Sequence, residues 1–125
     1  MNKPSVLIVE DEPEIAEIFA KVVLSIDCSY IRASRIKEAE LALRHIAFTI
    51  VICDLILPDG VGISIAEKAI KRGCGLVIVT GFADKYAADL TRLSEIDPRV
   101  QILHKPFPVQ TLEKTLIGLL EPLSR

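Results

Sequence analysis

The sequence predicts an α/β fold, a doubly wound sheet of five parallel strands with five helices packed on its two faces. Three observations carry that prediction. A short apolar run followed by an amphipathic stretch recurs five times in 125 residues. Most of the runs are apolar at successive positions, as strands covered on both faces must be. The stretches between them repeat their apolar residues at helical spacing, so each pair reads as one strand–helix unit with a right-handed crossover.

Ser5-Val6-Leu7-Ile8-Val9 is the first strand. Pro13 then suits a first helical turn, and Glu14 and Glu17 suit the positive end of a helix. Ile15, Ile18, Phe19, Val22, Val23 and Ile26 form its apolar face. Tyr30-Ile31-Arg32-Ala33 is a second, less apolar strand, expected at a sheet edge. Ser34 is placed to cap a helix that carries Ile36, Ala39, Ala42, Leu43 and Ile46. Thr49–Cys53 is the third strand. After a turn at Pro58-Asp59-Gly60, a third helix carries Ile65, Ala66, Ala69 and Ile70 and stops near Gly73. Leu76–Val79 is the fourth strand, and Tyr86, Leu90 and Leu93 mark the fourth helix. Val100–Leu103 is the fifth strand, and Val109, Leu112, Leu116, Leu119 and Leu120 mark a last helix ending before Pro122.

Residues 1–125 read as one domain, with no output domain expected beyond the fifth helix. Half of the residues are hydrophobic and the net charge is −2, so no basic surface is offered to a nucleic acid. Cys28, Cys53 and Cys74 are odd in number and lack metal-ligand spacing, which suits reduced, packed thiols. No apolar run reaches the roughly 20 residues that span a bilayer, and the N-terminus has no cleavable leader pattern. A cytoplasmic protein is expected. His45 and His104 read as surface residues.

Parallel sheets bind ligands outside the carboxyl ends of their strands. The first strand ends in Glu10-Asp11, the third in Asp54 and the fourth in Thr80, and Lys105 follows the fifth. Two carboxylates about 4 Å apart repel by roughly 4 kcal/mol at an effective dielectric of about 20. An oxygen-rich pocket without thiolate or imidazole suits a hard cation, with Mg²⁺ the first candidate. A cation and Lys105 together favour phosphoryl transfer, which needs positive charge on the equatorial oxygens more than a general base. Asp54, the carboxylate ending the central strand, is the expected nucleophile, forming an acyl phosphate, and Thr80 can donate to a phosphoryl oxygen.

Glu10-Asp11, Asp54-Leu55-Ile56-Leu57-Pro58-Asp59-Gly60, Val79-Thr80-Gly81 and Lys105-Pro106-Phe107 together resemble the motif set of response-regulator receiver domains. The resemblance runs from Val6 to about Leu120. It implies a flavodoxin-like sheet of order 2-1-3-4-5 and a two-component or phosphorelay switch. It also implies direct Mg²⁺ ligation by Asp11, Asp54 and the Ile56 carbonyl, with Glu10 acting through water. Phosphate would come to Asp54 from a histidine kinase or a histidine phosphotransfer protein, with Thr80 and Lys105 on the phosphoryl oxygens. A cis Lys105–Pro106 bond is implied too. The family's usual docking face, helix four with strand five and helix five, would take an unknown downstream protein or form a homodimer.

The sequence departs from the family at Ile102, where an inward-turning Tyr or Phe is usual, so the switch must be read out through Phe82, His104 or the fourth helix. The stretch from Asp84 to Pro98 is longer than usual. Ile56 and Phe82, flanking the site, cannot orient a hydrolytic water, which predicts a long-lived phosphoryl group. Two other readings compete. One is a receiver-fold docking module that signals without phosphorylation. The other is a Mg²⁺-dependent phosphohydrolase with an Asp-x-Asp pattern, against which stands Ile56 in the second Asp position.

Overall fold

The computed structural model describes residues 3–121. Pro122, expected to stop the last helix, and the residues after it lie outside the described range, as do Met1 and Asn2. The elements run β1 (Ser5–Val9), α1 (Pro13–Ser25), β2 (Ser29–Ala33), α2 (Ile36–His45), β3 (Ile50–Asp54), β4 (Ile56–Leu57) and β5 (Gly60–Val61). They continue as α3 (Ile63–Lys71), β6 (Gly75–Thr80), α4 (Ala87–Ile96), β7 (Gln101–His104) and α5 (Val109–Leu120). The main sheet has the order β2-β1-β3-β6-β7 with every pairing parallel. Since β4 and β5 form a separate pair, this is the expected 2-1-3-4-5 order.

Strand pleating divides the core. Leu7 and Val9 of β1 and Val51 and Cys53 of β3 join Ala39, Leu43, Ile65, Ala69, Leu90 and Leu93 from α2, α3 and α4. Val6, Ile8, Ile50 and Ile52 point to the opposite face, against Phe19 and Val23 of α1 and Leu112 and Leu116 of α5. Both faces of β3 are therefore dry, which is why its sequence carries no alternation. β2 is exposed except at Ala33, as an edge strand is. Asp27, with φ of 62°, and Gly73, with φ of 78°, lie just beyond α1 and α3, in the left-handed region common after helix ends.

Two local readings need correction. Ser34 does not cap α2, whose cap position is Arg35 without a side-chain bond. The carboxylate of Asp59 does this instead, accepting from Ile36 N at 2.8 Å and Lys37 N at 3.2 Å. A full charge at the positive helix end outcompetes a neutral hydroxyl, and Ser34 bonds Glu38 Oε1 at 2.9 Å. The turn at Pro58-Asp59-Gly60 is also more than a turn: β4 and β5 flank it as an antiparallel pair, Ile56↔Val61 and Leu57↔Gly60. Such short strands have too little periodicity to be seen in sequence.

Cys28, Cys53 and Cys74 are free and buried, in line with the reading of packed thiols. His45 and His104 are exposed. Tyr86 packs partly buried against the core at the cap of α4. Among the described residues no helix is long and apolar enough to cross a membrane.

Candidate functional site

Sheet order decides which chain ends meet. β1 and β3 are neighbours in register Val9↔Cys53, so Glu10 and Asp54, each one residue further, emerge side by side. β3 pairs with β6 as Asp54↔Val79, and β6 with β7 as Thr80↔His104. Thr80 and Lys105 follow at the same rim, joined by a bond from Lys105 N to Thr80 O of 2.8 Å. The Lys105–Pro106 bond is cis, as the resemblance implied.

Carboxylate oxygens of Glu10, Asp11 and Asp54 lie within 4.8 Å of one another. Lys105 Nζ donates to Asp54 Oδ2 at 3.0 Å and to Glu10 Oε1 at 3.2 Å. The Glu10 side chain is fully buried and that of Asp54 is 9% exposed, so little water screens these charges. Ile56 N donates to Asp54 Oδ1 at 3.3 Å, bringing that peptide beside the carboxylate. Buried Thr80 turns its Oγ1 to Phe82 N, accepting at 2.9 Å. Glu10, Asp11, Asp54, Ile56, Thr80 and Lys105 are thus all at this rim. The rim is open to solvent through half-buried Asp11 and Lys105 and exposed Ile56.

The charges are strained against one another. Burial pushes the Glu10 carboxyl above the usual carboxylate range; Lys105 opposes this and the Asp54 charge adds to it. For Lys105, burial favours the neutral amine. The bonds and charges of Asp54 and Glu10 outweigh it and hold the ammonium above its ordinary value. One lysine cannot neutralise three acids, so a net negative site faces solvent. That donor set, all oxygen and without imidazole or thiolate, fits a hard divalent cation.

The sequence model of the response regulator receiver domain matches residues 6–117, most of the chain. This chain belongs to that family. No curated protein matches it in sequence. Among solved structures, it is similar to the non-phosphorylated HemR receiver domain from Leptospira biflexa, at 28% identity and a TM-score of 0.84 over 98% of both chains. A CheY-like receiver domain from Methylobacillus flagellatus is 24% identical with a TM-score of 0.79, over 94% of this chain and 99% of that one. A two-component response regulator from Clostridium difficile is 17% identical with a TM-score of 0.84, over 98% of this chain and 100% of that one. The last two likenesses establish the shared fold.

The contacts of three residues of this receiver escaped the sequence reading. Gly62 packs on the backbone of the site: a Cβ there would lie 2.4 Å from Asp54 O and 3.0 Å from Cys53 Sγ. The spacing Gly60-Val61-Gly62 is a signal for close approach, though it does not name the partner. Asp59 ties the loop after Asp54 to α2, as described above. Arg32, on the edge strand, donates to the backbone carbonyls of Glu10 and Asp11. A single arginine in a weakly apolar strand gives no warning of that.

Proposed function

We propose that this receiver is a phosphorylation switch of a two-component or phosphorelay system, with Asp54 as the phosphoryl acceptor. The supporting observation is the Lys105 ammonium 3.0 Å from Asp54 Oδ2 within a three-carboxylate rim. An Asp54 oxygen attacks the phosphorus of a phosphohistidine on a histidine kinase or phosphotransfer protein. The P–N bond breaks, its electron pair leaves with the imidazole, and an acyl phosphate forms on Asp54. Lys105 then exchanges its carboxylate partner for a phosphoryl oxygen. Thr80 gives up its bond from Phe82 N and donates its hydroxyl to another.

Asp11, Asp54 and the Ile56 carbonyl would hold Mg²⁺, with Glu10 acting through water. When bound, Mg²⁺ offsets the rim's negative charge and places positive charge beside the phosphoryl oxygens. An apolar cleft of about 280 Å³ between α1 and the turn after β7, lined by Ile15, Phe19, Pro106 and Phe107, opens beside Lys105 and gives the phosphodonor a surface. The face formed by α4, β7 and α5 serves a downstream protein or a second copy. We place the protein in the cytoplasm, where such donors act.

Incubation with acetyl phosphate and Mg²⁺ tests the reading. A phosphoryl mass on Asp54, absent from Asp54→Asn and from samples with EDTA, is expected. An unmodified Asp54 under conditions that label another receiver refutes it. In that case the second reading, docking without phosphorylation, gains. Its support is Ile102, which is packed partly buried against the core and carries no aromatic ring to turn.

A further inference from the structure

Arg32 stands apart from the residues that meet the phosphoryl group, yet it is bonded to the backbone that carries two of the three acids. It lies on the edge strand, paired in register with Ile8. The β1–β2 ladder ends at Val9↔Ala33, followed by one bond from Glu10 N to Ala33 O of 3.0 Å. Beyond that point the chain turns away at Ser34, leaving the carbonyls of Glu10 and Asp11 without a strand partner. Arg32 takes both. Nε and Nη2 donate to Glu10 O at 3.1 Å each, and Nη2 donates to Asp11 O at 3.1 Å.

Three bonds from one planar fork onto two consecutive carbonyls fix both the position and the rotation of the Glu10–Asp11 peptide. The segment needs fixing. The Asp11 carboxylate lies within 4.8 Å of the Glu10 and Asp54 oxygens, and like charges at that range drive the more exposed member outward. Asp11 is that member, since Glu10 and Asp54 are buried. Its retreat would remove one of the acids that face the cation.

We propose that Arg32 is a positioning residue for divalent-cation binding, holding the Glu10–Asp11 backbone so that Asp11 stays close to Asp54 before a cation arrives. This role rests on the proposed reading of the rim as a Mg²⁺ site. It predicts the opposite of what charge alone gives. A guanidinium near a cation site repels the cation, so an arginine that acted only through charge would weaken Mg²⁺ binding, and its removal would tighten it. Positioning gives weaker binding upon removal.

The test compares wild type, Arg32→Met and Arg32→Lys, with unfolding midpoints confirming that each is folded. Mg²⁺ titration by calorimetry is expected to show affinity lowered about tenfold in Arg32→Met, as for other partners that orient metal ligands. Arg32→Lys keeps the charge but not the fork and recovers little. Amide exchange at Asp11 and Glu12 in the metal-free proteins, a readout independent of metal and of phosphorylation, is expected to be faster in both variants. Unchanged or tighter Mg²⁺ binding in Arg32→Met, wild-type affinity in Arg32→Lys, or unchanged amide exchange overturns the proposal. A wild type that takes up no Mg²⁺ while its exchange responds to Arg32 overturns instead the reading of the rim, and the role with it.

Discussion

Consider Lys105→Met, which removes the ammonium from between two buried carboxylates while keeping most of its aliphatic stem. Nζ stands 3.0 Å from Asp54 Oδ2 and 3.2 Å from Glu10 Oε1. At an effective dielectric of about 20, each attraction is about 5 kcal/mol before desolvation is counted. Taking the ammonium out of water offsets much of this, and truncating one member of a buried ionic group costs about 3–5 kcal/mol in other proteins. Two features lower the figure here. The lysine side chain is 22% exposed, and Glu10, already disposed to hold a proton, can neutralise itself. The expected loss is about 2 kcal/mol near neutral pH in EDTA, or roughly 8 °C in Tm for a domain of this size. Mg²⁺ should then act with opposite bias: without a neighbouring ammonium the variant binds it more tightly, so millimolar Mg²⁺ raises the variant's Tm more than the wild type's. Urea and thermal unfolding of both proteins followed by circular dichroism, each with EDTA and with Mg²⁺, give the loss and the two Mg²⁺ gains. An unchanged midpoint in EDTA, or a larger Mg²⁺ gain in wild type, refutes the electrostatic account of the rim.

The raised carboxyl of Glu10 means that the folded protein holds this proton more strongly than the unfolded chain. Metal-free stability contributed by Glu10 therefore falls as pH rises from its ordinary value of 4.5 through the higher folded value, and Glu10→Gln should flatten that fall in a Tm series against pH. Lys105, held above 10.5, contributes stability that is complete below that pH and lost only as pH climbs through its folded value, a step Lys105→Met should lack. Gly62→Ala puts a Cβ 2.4 Å from Asp54 O, so chemical denaturation should show a loss of about 1–3 kcal/mol, and phosphorylation of Asp54 should slow along with it. Ile56→Asn supplies a polar group beside Asp54, the proposed acceptor; dephosphorylation followed by label loss should quicken about tenfold, the worth of one hydrogen bond of about 1.4 kcal/mol in the transition state. An unchanged half-life would refute the expectation that the apolar flank prolongs the life of a phosphoryl group.

What the residues alone determined is the periodic part of the protein. Continuous apolar runs such as Val51-Ile52-Cys53 specify strands dry on both faces, and the helical spacing of Leu112 and Leu116 specifies the helices that cover them. Because strands in such a sheet present their carboxyl ends to one rim, Glu10, Asp11, Asp54, Thr80 and Lys105 could be placed together from order along the chain. Tertiary structure decided everything that depends on contacts between distant segments. Asp59 displaced Ser34 as the helix cap because folding brought a full charge across 23 positions to Ile36 N. Gly62 became constrained only when packing set the Asp54 carbonyl where its Cβ would lie, and Arg32 gained its partners only when β2 lay beside β1. The division has one physical cause. Burial patterns follow local period and can be read along a chain, whereas a single polar contact depends on ångström-scale placement that emerges only after packing.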